Sequence, residues 1–220
     1  MTRRSVPLGT AGSAERRHPP PRPARRGSLR RVAPRPTRAE LEAAREKLLP
    51  DVLPGPGDPP LRVLFSGINP GLVSAYTGHH FARPGNRFWP ALHAGGFTPR
   101  VFAPAEQHLL PALGLGITNV ALRATARADE LSDDELVAGG ERLRAQARTY
   151  RPQWLAVVGI TAYRVAFGER AAVVGPQDRR VGDTRIWVLP NPSGLNAHYT
   201  PATLAEAFAR LHAAAEDSIS

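Results

Sequence analysis

Apolar residues in this chain fall in short runs separated by glycine and proline, not in long stripes. Residues 61–66 form a mostly apolar run closed by Gly67, which reads as a buried strand. Residues 86–94 carry helical spacing and stop at Gly95-Gly96. Residues 115–120 read as a second strand. Ser132, with Glu135 three residues on, opens a helix that runs to about Tyr150. Residues 154–158 make a third strand closed by Gly159, and residues 162–167 a short helix stopped by Gly168. Residues 185–189 make a fourth strand, followed by Pro190. Thr200 and Pro201 then supply the cap and first turn of a terminal helix to about residue 215.

Strands separated by helices imply an α/β fold. The expected form is a three-layer α/β/α sandwich around a central, mostly parallel sheet of four to five strands. In such sheets the site lies beyond the carboxyl ends of the strands. Two loops are singled out on that ground, one after Ser66 and one after Leu189.

Residues 1–37 show no apolar periodicity and are rich in Arg, Pro, Ala and Gly. This segment is expected to be a disordered tail. Thr37, with Glu40 completing a capping box, predicts a helix over 38–49. Five prolines between Pro50 and Pro60 then read as a linker, so residues 38–60 precede a folded domain over 61–216.

Composition sharpens this picture. Hydrophobic residues are 42% of 220, enough for one sizeable core. No run approaches a membrane span, and no apolar stretch follows the first arginines, so neither membrane insertion nor a secretory signal is expected. Cysteine is absent, which excludes disulfides, thiolate catalysis and Cys-held zinc or iron–sulfur clusters. The net charge is +10. Residues 1–38 hold 11 Arg and one acid, Glu15, while the 18 basic and 18 acidic residues beyond them cancel. An Arg-rich tail suits nonspecific contact with DNA phosphates, although coding bias gives the same composition.

The first loop reads Gly67-Ile68-Asn69-Pro70-Gly71-Leu72-Val73-Ser74-Ala75-Tyr76-Thr77-Gly78-His79-His80-Phe81, and continues Ala82-Arg83-Pro84-Gly85-Asn86-Arg87-Phe88-Trp89. It lacks the Gly-Lys-Ser/Thr ending of a phosphate loop and the glycine spacing of dinucleotide folds. The second loop reads Leu189-Pro190-Asn191-Pro192-Ser193-Gly194-Leu195. Together these stretches resemble the two motifs of the mismatch-specific uracil/thymine-DNA glycosylases, the second family of the uracil-DNA glycosylase superfamily. The resemblance covers about residues 61–212.

The resemblance implies a monofunctional DNA glycosylase. It would flip a base out of mismatched duplex DNA, cut its N-glycosidic bond and leave an abasic site for base excision repair. Asn69 would place the attacking water, since an amide can orient water but not take its proton. Phe81 would stack on the flipped base, and backbone N–H groups near Ile68 and Phe81 would bind its carbonyl oxygens. Gly71, His80, Asn119 and Thr125 are further pocket residues on this reading. Ser74 stands where uracil-preferring relatives have Ser and the thymine-active branch has Ala. Uracil and ethenocytosine opposite guanine are therefore the expected substrates, with thymine weak. Gly194 and Leu195 would fill the gap left by the base. Asn191 and Ser193 would hold the DNA backbone. Bacterial relatives have an Arg at Ala197, so a partner-guanine contact there falls to His198 or Tyr199.

Taken alone, these residues also allow plainer roles. Asn69 could cap a turn, Phe81 and Leu195 could pack in the core, and Asn119 could close a strand. Arg87 could be a solvated helix residue or supply charge near the loop. No metal or cofactor is expected, because His79 and His80 are adjacent with no carboxylate spaced to join them. The expected partner is double-stranded DNA with G·U or G·T mismatches. The protein is expected to be a monomer, in the cytoplasm with the bacterial nucleoid. The competing reading is a DNA-damage or mismatch binding module on the same fold with little catalysis.

Overall fold

The computed structural model describes Met1, residues 35–194 and residues 196–217. Most of the expected tail, and Leu195, lie outside the described residues. Internal contacts separate residues 1–35 from a body that begins at Pro36.

Within the body, five strands form one sheet: β1 (Val63–Gly67), β2 (Leu115–Asn119), β3 (Trp154–Val158), β4 (Gly175–Val181) and β5 (Thr184–Leu189). Their spatial order is β2-β1-β3-β5-β4. The first four in that order are parallel, and β4 closes one edge antiparallel to β5. This is the expected mostly parallel sheet. The sequence reading lacks β4, whose Pro176, Asp178, Arg179 and Arg180 mask it. Only an edge strand tolerates such residues. Its one local signal is the Gly182-Asp183 pair, which makes the two-residue turn into β5.

Side chains alternate across the sheet. Val63, Phe65, Ile117, Ala156 and Trp187 face α3 (Phe88–Ala94) and α6 (Pro201–Glu216), including Phe88, Trp89, Phe208 and Leu211. Leu64, Leu155, Val157, Ile186 and Val188 face α4 (Asp133–Tyr150) and α5 (Ile160–Phe167). Continuous apolar strands are what a sheet covered on both faces requires. The result is the expected three-layer sandwich. No helix among the described residues is long and apolar enough to cross a membrane.

The N-terminal part of the body departs from expectation. The capping box is present: Thr37 Oγ1 accepts the Glu40 N–H at 3.2 Å, and Glu40 Oε2 accepts the Thr37 N–H at 2.7 Å. The helix it opens, α1 (Arg38–Ala43), is short and passes into one 3-10 turn, Ala44–Glu46. Pro50 disfavours helical geometry at Leu49, and Leu49 is buried. The proline-rich stretch is not a free spacer either. Val52 and Ile117 exchange two backbone hydrogen bonds of 2.8 Å, which cover the outer edge of β2. The packed body therefore starts well before Leu61.

The loop after β1 contains a helix the sequence reading lacks, α2 (Leu72–Thr77), ended by Gly78 at φ 75°. The chain leaves β1 for β2 on one side and re-enters at β3 on the other. That reversal opens a crevice at the carboxyl ends of the strands.

Candidate active site

A cavity of about 440 Å³ occupies this crevice. Its size falls in the range of small-ligand sites, roughly 300–1,000 Å³. Of the expected residues, Ile68, Asn69, Gly71, Ser74, His80, Phe81, Asn119, Thr125, Asn191 and Ser193 all line it. The two loops chosen from the sequence thus meet in one place.

Backbone bonds fix the floor. Val120 N–H donates to Gly67 O and Ala121 N–H to Ile68 O, both at 2.8 Å, and Thr125 N–H donates to Pro70 O at 3.1 Å. The segment after β2 is thereby laced along the segment after β1. Thr125, expected as a pocket residue, is buried in this lacing.

Asn69 is half-buried at the centre of this lacing. Its Nδ2 donates to Thr125 Oγ1 at 2.7 Å and to Arg123 O at 2.9 Å. A carbonyl only accepts, so the amide nitrogen must face Arg123. That orientation leaves Oδ1 as the amide's acceptor. Sequence reasoning finds Asn69 but not the Arg123 carbonyl, which is 54 residues away.

Phe81 has a positive φ of 53° and stacks on Phe88, with ring centroids 3.9 Å apart and planes 13° apart. Phe88 is fully buried, so the Phe81 ring has a rigid backing. A Cβ on Gly67 would lie 3.2 Å from Phe81 Cζ and 2.5 Å from Asn119 Oδ1. Glycine at the end of β1 is what lets both side chains converge there.

His80 is not an exposed loop residue; it is 1% exposed. Its Nε2 lies 3.0 Å from Pro50 O and its Nδ1 3.4 Å from Asn119 Nδ2. Its backbone N–H donates to Gln107 Oε1 at 2.7 Å. Burial pushes the imidazole pKa below its usual value, against smaller opposing effects of the Pro50 carbonyl and Asp51. The neutral ring must carry its proton on Nε2, because Pro50 O offers only an acceptor. Nδ1 is then free to accept from Asn119.

Ser74 is buried on α2, and its Oγ accepts the Ala82 N–H at 3.2 Å. Asn191 Oδ1 accepts the Ser193 N–H at 2.9 Å, so this oxygen shapes its own turn. Gly194 lies in a neighbouring cleft with Arg83 and Gly85, and Ala197 is exposed and lines no part of the main cavity. The Leu195 assignment falls outside the described residues.

Several wall residues carry no local sequence signal. Leu49 comes from the proline-rich stretch and Val158 from the end of β3. Arg127 and Asp129 come from the turn before α4 and pair with each other at the mouth. Asp129 is exposed and already matched by that guanidinium. No group of three or more metal-ligating side chains occurs among the described residues.

An open crevice at the strand ends, an oriented amide, an aromatic ring and a second loop beside them form a site that can receive a planar group. Residues 54–212, most of the chain, match the family model of the Uracil DNA glycosylase superfamily. The matched stretch holds every strand of the sheet and both loops of the site, and on this ground the chain belongs to the uracil DNA glycosylase superfamily.

Proposed function

We propose that this DNA glycosylase excises uracil, and with it ethenocytosine, opposite guanine in duplex DNA, and acts only weakly on thymine. The base leaves the stack and enters the 440 Å³ cavity. Phe81, braced by Phe88, offers it a flat face, and Asn119 offers an amide to its polar edge. Leu195 takes the vacated position in the duplex.

The observation that carries the reading is the orientation of Asn69. With Nδ2 tied to Thr125 and Arg123, Oδ1 accepts a hydrogen bond from a water and aims its oxygen at the sugar. As the C1′–N1 bond breaks, the electron pair leaves with the base and C1′ becomes cationic. The water oxygen then bonds to C1′. Its surplus proton passes to solvent, and the departing base anion takes one up. The only acid lining the cavity among the described residues, Asp129, is paired with Arg127. Catalysis therefore rests on position and electrostatics, which implies slow turnover.

The test is a set of duplexes containing G·U, G·T and A·U, assayed for alkali-labile abasic sites. Wild-type protein should cut G·U best. Asn69→Ala should lose about 10²–10³-fold in the rate of the chemical step while binding G·U duplex as before. Binding without any abasic product from wild type would favour the damage-binding alternative. Cleavage by Asn69→Ala at the parent rate would remove the amide from the mechanism.

A further inference from the structure

We propose that Arg87 is the positioning residue of the DNA-inserting loop, holding residues 192–194 and 196–199 in the shape that insertion requires. The inference rests on the excision reading above, and assigns Arg87 a role other than phosphate binding or surface charge.

The geometry is that of a clamp. Arg87 Nη1 donates to Tyr199 O at 2.6 Å. Nη2 donates to Ser193 O at 2.7 Å and to Asn196 O at 3.0 Å. The Arg87 backbone N–H donates to Pro192 O at 2.9 Å. Four carbonyls, on both sides of the position assigned to the plug, are thus tied to one residue far away in the chain. Both hydrogens on Nη2 are committed, and Nε is buried without a partner. A guanidinium so committed has at most one N–H, on Nη1, left for a phosphate.

Arg87 stands on a firm base. Asn86 Oδ1 accepts the Phe88 N–H at 2.9 Å, which fixes the start of α3, and Phe88 and Trp89 are buried beneath it. A second contact docks the same loop. A Cβ on Gly194 would lie 2.6 Å from Gly85 O, so the two backbones touch there. Asn196 Nδ2 adds a bond to Asn191 O at 2.9 Å within the loop.

The need for a clamp arises from the work of insertion. Expelling a base sacrifices its stacking and pairing, and a loop that had to be ordered at that moment would add its own entropy cost. Arg87 removes that second cost by ordering the loop in advance. The planar fork is what spans three separated carbonyls. A lysine carries the same charge but presents its donors from a single point.

The experiment uses Arg87→Lys and Arg87→Met in the full chain, with two readouts. Amide hydrogen exchange of the peptide covering 191–199 should speed up at least tenfold in both variants. Excision should be measured on G·U duplexes flanked by G·C pairs and by A·T pairs, at a saturating protein concentration. Both variants should slow excision at least tenfold between G·C flanks, and by a clearly smaller factor between A·T flanks, where less stacking opposes expulsion. A general loss of folded protein would slow both duplexes by one factor, and that result overturns the proposal. So does unchanged exchange in the loop, or wild-type behaviour of the lysine variant, which would mean that charge alone suffices. If wild-type protein released base from neither duplex, the excision reading would fall, and the exchange measurement would still decide whether Arg87 orders the loop.

Discussion

At the scale of single residues, Ser74 is the point where substrate choice becomes testable. Its hydroxyl is held in the cavity wall by the Ala82 N–H and cannot turn away without leaving that donor unpaired. On the proposed reading, a pyrimidine 5-methyl group entering beside it would meet an oxygen that is already engaged. Discrimination on the scale of one methyl group is worth about 1–3 kcal/mol, roughly 10–200-fold. Ser74→Ala should therefore raise G·T excision by about tenfold and leave G·U excision nearly unchanged. Losing an acceptor for a buried N–H costs about 1–3 kcal/mol, so the variant should also melt lower, and rates must be taken per folded molecule. A G·T rate that stays at the wild-type value would place the hydroxyl away from the 5-position. The residue scale is also where sequence reading is strongest and then stops. Asn69, Phe81 and Ser74 sit in recognisable strings, and all three line the cavity. Their pairings are not written in those strings, even where a partner such as Phe88 lies in the same one. The Arg123 carbonyl, the Pro50 carbonyl and the Phe88 ring are set by packing, so the direction of the Asn69 amide and the tautomer of His80 emerge only in three dimensions.

Elements were legible in proportion to how far their own residues determine them. The strand at Trp154–Val158 and the helix from Ser132 to Tyr150 match expectation, because an apolar run between breakers and a capping box are local signals. Three misses share a different cause. α1 is cut short because Leu49 is drawn into the cavity wall. α2 is six residues of the first loop that hold together by packing on α1 and the 3-10 turn after it. β4 exists because β5 offers it an edge. The glycine pair in α4 shows the same long-range control. Interior helix glycines normally cost about 1 kcal/mol relative to alanine. Here a Cβ on Gly140 would lie 2.0 Å from Ala166 O, and one on Gly139 would lie 2.2 Å from Val120 O. Both obstacles are backbone, so α4 must move away from α5 or from the segment after β2. Gly140→Ala should thus destabilise by about 1–3 kcal/mol through overpacking, instead of stabilising through helix propensity. Thermal unfolding followed by circular dichroism should show a midpoint several degrees lower, at about 2–4 °C per kcal/mol. A higher midpoint would show that the close approach is not required.

For the whole molecule, charge is the property that a linear reading captures best, because it needs no fold to be counted. The surplus of +10 belongs to residues 1–38, and the remainder is balanced. Within that balanced body, ion pairs such as Arg123–Glu135 and Arg100–Glu106 neutralise part of the positive charge locally. On the proposed reading, affinity for the DNA polyanion would have two separable sources: the crevice with its second loop, and the arginines ahead of Pro36. The two differ in salt response. Each phosphate neutralised by a basic residue contributes a slope of about −0.9 to log K against log salt. Removing residues 1–35, which spares Thr37 and its capping box, should weaken binding to undamaged duplex most at low salt, and should flatten that slope by several units if several arginines engage at once. Single-turnover excision at saturating protein should change little, because the cavity lies wholly in the body. Fluorescence anisotropy from about 20 to 200 mM salt spans the range over which such contacts lose most of their strength. Equal slopes for the two proteins would leave the arginines as a trace of coding composition, and would place the whole affinity for DNA in the folded body.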